Sequence, residues 1–221
     1  MQSISWGVVY FLLLLADICL IALDVPEARY VSKPLLMIAL GCYCWSQVGA
    51  LQLRARNLIF IALIFSWWGD VLLLFDELFV EGLASFLAAH ILYSIFFLLV
   101  KRRSPMNGKD AVSMALVAVY ATGLVWFLAP HLGGLKPAVV AYSVVLSFML
   151  LSSIGAFGLN GTQAGRLCVS GAVLFVFSDS MLAIEKFYME FPGGSGLVML
   201  TYGCAQWMIV EGSTRYLKVE A

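Results

Sequence analysis

Charged side chains are scarce in this sequence. Lys, Arg, Asp and Glu make up 12% of the 221 residues, whereas 62% are hydrophobic and the mean hydropathy is +0.97. A water-soluble domain carries roughly twice that share of charge, because its surface must be hydrated. The formal net charge is zero, so no basic excess indicates a nucleic-acid partner. The composition excludes an ordinary soluble domain and predicts an integral membrane protein.

Histidines and paired cysteines are few as well. Two histidines, His90 and His131, cannot form a three-histidine zinc site. The five cysteines all fall in apolar segments, and Cys42 and Cys44 project from different sides of a helix, so we expect neither disulfides nor a cysteine metal site. The motifs of serine hydrolases, zinc proteases and nucleotide-binding enzymes are absent. We therefore predict no cofactor and no metal.

Long apolar runs, by contrast, are abundant. A window of about 19 residues finds eight, each close to the ~20 residues that cross a bilayer as a helix. They cover residues 6–23, 32–50, 58–75, 82–100, 111–130, 137–157, 167–184 and 196–213. The runs are continuously apolar rather than alternating, which favours helices over a β-barrel. The predicted fold is all-α, with residues 1–221 forming a single integral membrane domain of eight transmembrane helices.

The distribution of cations between loops predicts the orientation. With the N-terminus in the cytoplasm, nine of the 13 Lys and Arg residues face the cytoplasm, including the cluster Lys101, Arg102 and Arg103. The outer side receives Arg29, Lys33, Lys136 and Lys186. The positive-inside rule then predicts that both termini are cytoplasmic. Short loops favour a bacterial inner membrane over the endoplasmic reticulum, and the oligomeric state stays open.

Two short motifs recur four helices apart. G-D-V-L-L (69–73) resembles S-D-S-M-L (178–182), and S-K-P-L (32–35) resembles L-K-P-A (135–138). The pattern is consistent with a 4+4 internal repeat in parallel orientation. Coincidence is the alternative, because proline is also common in the first turn of any helix.

Five polar side chains from five helices share one predicted depth. Counting from the outer helix ends, Asp17, Asp70, His90, Asp179 and Tyr202 lie roughly 9–14 Å below the outer boundary. An ionisable group in lipid costs about 2.5–3.5 kcal/mol, so each is a candidate for a functional site. The plainer alternatives are an interhelical hydrogen bond for Asp17 and a core position for His90.

Helical spacing adds neighbours to this layer. Ser66 and Tyr93 share helix faces with Asp70 and His90, while Ser178 and Gln206 lie beside Asp179 and Tyr202. Gly171 lies on the face of Asp179 and allows another helix to approach closely. Lys33, Lys136 and Lys186 sit at the outer helix ends, where lysines can also simply reach the membrane interface. The predicted site is an apolar chamber with acids at its floor and cations at its mouth.

Two buried carboxylates in one chamber suit two kinds of chemistry. Burial and like-charge proximity leave one protonated and one ionised, which provides a general acid and a general base for hydrolysis through an oxocarbenium-like state. The same pair could relay protons in a small transporter. A non-catalytic lipid-binding protein is the third alternative.

Five short motifs follow one another along the apolar segments: S-K-P-L (32–35), F-S-W-W-G-D (65–70), F-L-A-A-H-I-L-Y (86–93), G-A-V-L-F-V-F-S-D (171–179) and T-Y-G-C-A-Q (201–206). In this order they resemble the lysoplasmalogenase family, also called YhhN-like membrane proteins. The resemblance implies a membrane enzyme that hydrolyses the vinyl ether bond of lysoplasmalogens to a fatty aldehyde and a glycerophospho-base. It implies a lysophospholipid substrate, surrounding membrane lipids and a catalytic pair at Asp70 and Asp179. His90 and Tyr93 would tune the pair, and the lysines would bind the lipid phosphate.

Overall fold

A computed structural model describes residues 5–49, 54–100, 108–159 and 161–220. Every regular element in these ranges is helical, as predicted. The eight α-helices are α1 Trp6–Ala22, α2 Pro26–Val48, α3 Arg54–Leu72, α4 Phe79–Val100, α5 Gly108–Leu128, α6 Lys136–Phe157, α7 Gln163–Phe187 and α8 Gly194–Glu220. Short 3₁₀ turns at Asp76–Leu78 and Gly133–Leu135 precede α4 and α6. The predicted cluster 101–103 lies outside the described residues.

The second helix begins earlier than the hydropathy predicts. It starts at Pro26, where a proline suits the first turn, and Pro34 lies inside the helix rather than at its start. The hydropathy window missed residues 26–31 because they contain Glu27 and Arg29, which lower the average. Pro137 does lie in the first turn of α6, so the two K-P motifs occupy different positions in their helices.

Within the described ranges, five stretches are long and apolar enough to cross a membrane. They are Arg54–Leu72, Asp76–Val100, Ala111–Leu128, Gly133–Phe157 and Gln163–Phe187. Helix α1 is apolar but has 17 residues, whereas α2 and α8 are longer and carry more charged side chains. These findings confirm an all-helical chain with several apolar spans.

Helices α7 and α8 pack most closely, and small residues make this possible. A Cβ atom added to Gly171 would lie 2.9 Å from the carbonyl oxygen of Ala205, and one added to Gly212 would lie 2.6 Å from that of Ala164. Both distances are too short for any real side chain, so the two backbones touch. The predicted role of Gly171 is confirmed, and this contact fixes the position of Asp179 on α7 relative to Tyr202 on α8.

Helix α5 lies at the edge of the bundle. Many of its large apolar side chains face outward, among them Leu116, Val119 and Trp126, which is 80% exposed. In water such a surface would be costly, whereas in a bilayer it is the expected lipid-facing side. The fully buried rings, such as Tyr93, Phe97 and Phe175, lie instead among the other helices.

Candidate active site

A cavity of about 250 Å³ opens at the end of the bundle where α3 and α7 finish and α4 and α8 begin. Its lining residues come from six helices and the turn before α4. They are Arg29, Lys33, Asp70, Leu73, Asp76, Phe79, Leu83, Phe86, Val139, Tyr142, Ser178, Asp179, Leu182, Ala183, Glu185, Lys186, Phe187, Ser195, Val198, Met199 and Tyr202. The two predicted acids therefore reach one cavity.

Asp70 lies at the buried end of α3. Its carboxylate is 1% exposed, accepts a hydrogen bond from the hydroxyl of Tyr202 at 2.7 Å, and lies 3.6 Å from the ammonium nitrogen of Lys33. A buried carboxylate requires such partners, because an unpaired charge in the interior costs several kcal/mol. Lys33 and Tyr202 thus supply the partners that a charged form of Asp70 requires, against the cost of its burial.

Three polar side chains form a hydrogen-bonded network with Tyr202. The Gln206 amide lies 3.4 Å from the Tyr202 hydroxyl and donates to the Ser66 hydroxyl at 2.9 Å. The Tyr93 hydroxyl donates to the Gln206 carbonyl oxygen at 2.8 Å. The structure thus brings together four of the predicted neighbours, but Tyr93 joins the Asp70 side of the cavity rather than bonding His90.

Asp179 has a different set of partners. The Tyr142 hydroxyl donates to its Oδ2 atom at 2.5 Å, and His90 Nε2 lies 2.9 Å from the Tyr142 oxygen and 3.5 Å from the same Oδ2. Because the Tyr142 hydroxyl donates its proton to the hydrogen bond with Asp179, its oxygen accepts a hydrogen bond from the Nε2–H group of His90. Among the described residues, Asp179 Oδ1 receives no hydrogen bond. A proton on that oxygen would be free to point elsewhere.

The surroundings of His90 are apolar. The ring is fully buried between Phe86 and Phe175, and its Nδ1 atom has no hydrogen-bond partner in the described part of the chain. The packing holds Phe86 in place, since a Cβ on Gly69 would come within 2.5 Å of its ring. His90 is therefore held with Nε2 toward Tyr142 and Asp179.

Asp17 is buried outside the cavity lining. Its carboxylate accepts a hydrogen bond from the Ser32 hydroxyl at 2.5 Å and one from Arg29 Nη2 at 3.4 Å. These contacts join α1 to α2 and hold Arg29, which does line the cavity. Ser178 has a comparable structural contact, donating to the carbonyl oxygen of Val198 at 3.0 Å.

The three predicted lysines occupy three different environments. Lys33 is inside beside Asp70, and Lys186 lies at the mouth in a 2.7 Å ion pair with the exposed Asp76. Lys136 begins α6, is exposed, and does not line the cavity. One shared role is predicted for these lysines from the sequence, and the structure separates Lys136 from the other two.

Tyr142 and Arg29 are two of the cavity residues that were not predicted. Tyr142 lies in an apolar run, where a tyrosine is an ordinary residue of a membrane helix. Arg29 precedes the predicted start of the second helix. Over the described residues, no three His, Cys, Asp or Glu side chains group as metal ligands.

Comparison with known proteins decides the family. The sequence profile of the YhhN family matches residues 28–213, a range that contains every residue lining the cavity. The chain belongs to the YhhN family. No solved structure matches this YhhN chain.

Curated relatives of this YhhN chain carry one enzyme name. Lysoplasmalogenase TMEM86B of Sus scrofa is 32% identical over 205 residues, which cover 91% of the chain and 80% of the relative. Lysoplasmalogenase of Mycobacterium tuberculosis is 33% identical over 166 residues, or 72% and 61%. Lysoplasmalogenase TMEM86A of Bos taurus is 32% identical over 158 residues, or 68% and 62%. The last two alignments thus span less than two thirds of the relatives.

Proposed function

We propose that this YhhN protein is a membrane lysoplasmalogenase. It hydrolyses the vinyl ether of a lysoplasmalogen to a fatty aldehyde and a glycerophospho-base. The observation that carries the proposal is the pair of aspartates in one cavity, each hydrogen-bonded by a tyrosine hydroxyl: Tyr202 on Asp70 and Tyr142 on Asp179. The names of its relatives support the same reaction.

The proposed roles of the two aspartates follow from their partners. Asp179 is the general acid, because its Oδ1 can carry a proton toward the substrate while Tyr142, which His90 contacts in turn, holds the carboxyl group through Oδ2. Asp70 is the general base and the stabilising charge, because the neighbouring Lys33 ammonium favours its ionised form. The sequence alone left this assignment open.

The proposed reaction has three steps. Asp179 protonates the β-carbon of the vinyl ether, and the resulting oxocarbenium ion is stabilised by the Asp70 carboxylate. Asp70 then takes a proton from a water molecule whose oxygen adds to the α-carbon, which gives a hemiacetal. In the collapse, Asp70 returns this proton to the glycerol oxygen while Asp179 takes the hemiacetal proton. Aldehyde and alcohol leave, and both carboxyl groups regain their starting protonation.

We propose that cations at the mouth bind the lipid phosphate. Lys186 is the clearest candidate, because it is partly exposed at the mouth and its partner Asp76 is 90% exposed. We expect Lys186→Gln to raise KM for a lysoplasmalogen by about threefold to fivefold, the value of one partly hydrated ionic contact, with little change in kcat. Lys136→Gln is the matched control and should leave KM unchanged; an equal rise in both variants would contradict the assignment.

A panel of lysolipids tests the function. Purified protein is given vinyl ether, saturated alkyl ether and ester lysolipids that share one head group and one chain length. We expect aldehyde from the vinyl ether and no product from the other two. Cleavage of the ester at a comparable rate would refute the proposal. Passage of intact lysolipid across liposomes without hydrolysis would instead favour the transporter.

We propose that the membrane architecture is the one that the sequence predicts. Residues 1–221 form one integral membrane domain in which all eight helices cross the bilayer, with both termini in the cytoplasm of a bacterium. The position of Asp70 and Asp179 on the third and seventh helices supports a 4+4 repeat, whereas the different positions of Lys33 and Lys136 in their helices weaken it. The orientation is tested with single cysteines introduced into the loops at 23–25 and 188–193. If both termini are cytoplasmic, both loops lie on the outer side, and a reagent that does not cross the membrane should label them.

A further inference from the structure

A second, narrower cavity adjoins the first. It has a volume of about 50 Å³ and lies between α5, α6 and α7. Val139, Tyr142, Asp179 and Ala183 line both cavities. The proposed acid, Asp179, therefore stands where the two spaces meet. We call the narrower space the α5 cleft.

The walls of the α5 cleft are mainly hydrocarbon. Leu124, Val125 and Leu128 come from α5, while Leu146 and Ser147 come from α6. Across the cleft, the Tyr120 hydroxyl donates to Ser180 on α7 at 2.8 Å. Tyr120 is itself 45% exposed on the lipid-facing helix α5, so the cleft lies next to the surface that the bilayer covers.

Charged side chains line the main cavity and suit the head-group end of a lysolipid. Its volume is about 250 Å³, and its lining includes Arg29, Lys33, Asp76, Glu185 and Lys186. A hydrocarbon chain that left through the mouth would bring apolar carbon against Asp76 and Lys186. The chain needs an apolar path that begins at the catalytic pair.

We propose that the α5 cleft binds the hydrocarbon chain of the lysolipid substrate next to its vinyl ether and guides the rest of the chain sideways into the bilayer. The inference rests on the proposed hydrolase function and adds a chain-binding site to it. It commits to the substrate chain rather than to a resident bilayer lipid.

This placement agrees with the proposed chemistry. In a vinyl ether the β-carbon is on the chain side and the α-carbon is on the oxygen side. A chain in the α5 cleft puts the β-carbon beside Asp179, which lines both spaces, and directs the ether oxygen toward the cavity that holds Asp70 and Lys33. The carbon to be protonated then lies nearest the proposed acid.

Filling the cleft tests the proposal. Ser147→Phe places a ring in this narrow space, and Val144→Phe on the same helix is the matched control, because Val144 is 63% exposed and does not line the cleft. For Ser147→Phe we expect kcat/KM to fall at least tenfold for a long-chain vinyl ether lysolipid and less than threefold for a 1-propenyl analogue, whose chain ends one carbon past the vinyl group and so does not enter the cleft. Equal losses for the two substrates, or no loss, would overturn the proposal.

Photolabelling gives a readout that needs no turnover. A saturated alkyl ether lysolipid with a diazirine on a chain carbon near the ether is added to the unmodified protein. We expect labels within 120–128, 139–147 and 176–183, the parts of α5, α6 and α7 that line the cleft, and competition by unlabelled lysoplasmalogen. Labelling elsewhere would overturn the proposal, as would equal labelling by a diazirine-bearing diacyl phospholipid, which would mark the cleft as a contact for bilayer lipid. A protein without hydrolase activity would fail the lysolipid panel, whereas an incorrect chain site would fail only here.

Discussion

Asp179→Asn is expected to lower aldehyde release from a vinyl ether lysolipid by about 1,000-fold, within the range that a positioned general acid contributes. The amide has nearly the same shape and its oxygen can still accept the hydrogen bond from Tyr142, but it has no acidic proton for the β-carbon. The loss should appear in kcat, with binding of a saturated alkyl ether analogue nearly unchanged. Turnover is measured by mass spectrometry of the aldehyde.

Asp24→Asn is the matched control for this substitution. Asp24 is exposed in the loop after α1 and has a positive φ of 53°, a conformation that asparagine adopts as readily as aspartate. Its activity should equal that of the unmodified protein. An Asp179→Asn variant that retained more than about a tenth of the activity would remove the general acid from the proposed mechanism.

Asp70→Asn is expected to affect both catalysis and stability. It removes the proposed base, and it leaves Lys33 as a largely buried cation whose only close carboxylate among the described residues is gone. Breaking a buried pair in this way costs about 3–5 kcal/mol, so the thermal unfolding temperature in detergent should fall along with a roughly 100-fold to 1,000-fold drop in kcat.

A double variant separates the two effects. Asp70→Asn combined with Lys33→Met removes both charges, and we expect it to recover much of the lost unfolding temperature while kcat stays low. The comparison uses kcat rather than KM, because Lys33 also borders the region proposed for the head group. Recovery of kcat in the double variant would mean that Asp70 only neutralises Lys33 and takes no part in the reaction.

Much of the site around Asp70 can be predicted from the sequence. Aspartate in an apolar run is costly enough to stand out, and helical spacing linked Ser66 to Asp70 and Gln206 to Tyr202. The actual hydrogen bonds between these helices depend on which helices pack together, which hydropathy does not specify. For that reason Tyr93, which helical spacing predicts to share a face with His90, instead forms a hydrogen bond with Gln206.

The site around Asp179 is harder to predict from the sequence. In the sequence Tyr142 is one residue of an apolar helix, and only the structure shows its hydroxyl between His90 and Asp179. Lys33 and Lys136 share a motif, but the position of each in its helix decides which one reaches the cavity. Because α2 starts at Pro26, both Arg29 and Lys33 lie on a helix that lines the cavity. A hydropathy average cannot show that neighbouring carboxylates pair with these cations.

Turnover of a vinyl ether lysolipid in ¹⁸O-labelled heavy water tests the central claim most directly. The aldehyde is trapped by immediate reduction, and both products are analysed for isotopes. Proton transfer from Asp179 and addition of water to the α-carbon predict one deuterium at a single prochiral position on C2 of the aldehyde and no ¹⁸O in the glycerophospho-base. An aldehyde without deuterium at C2, or a glycerophospho-base that carries ¹⁸O, would contradict the proposed mechanism.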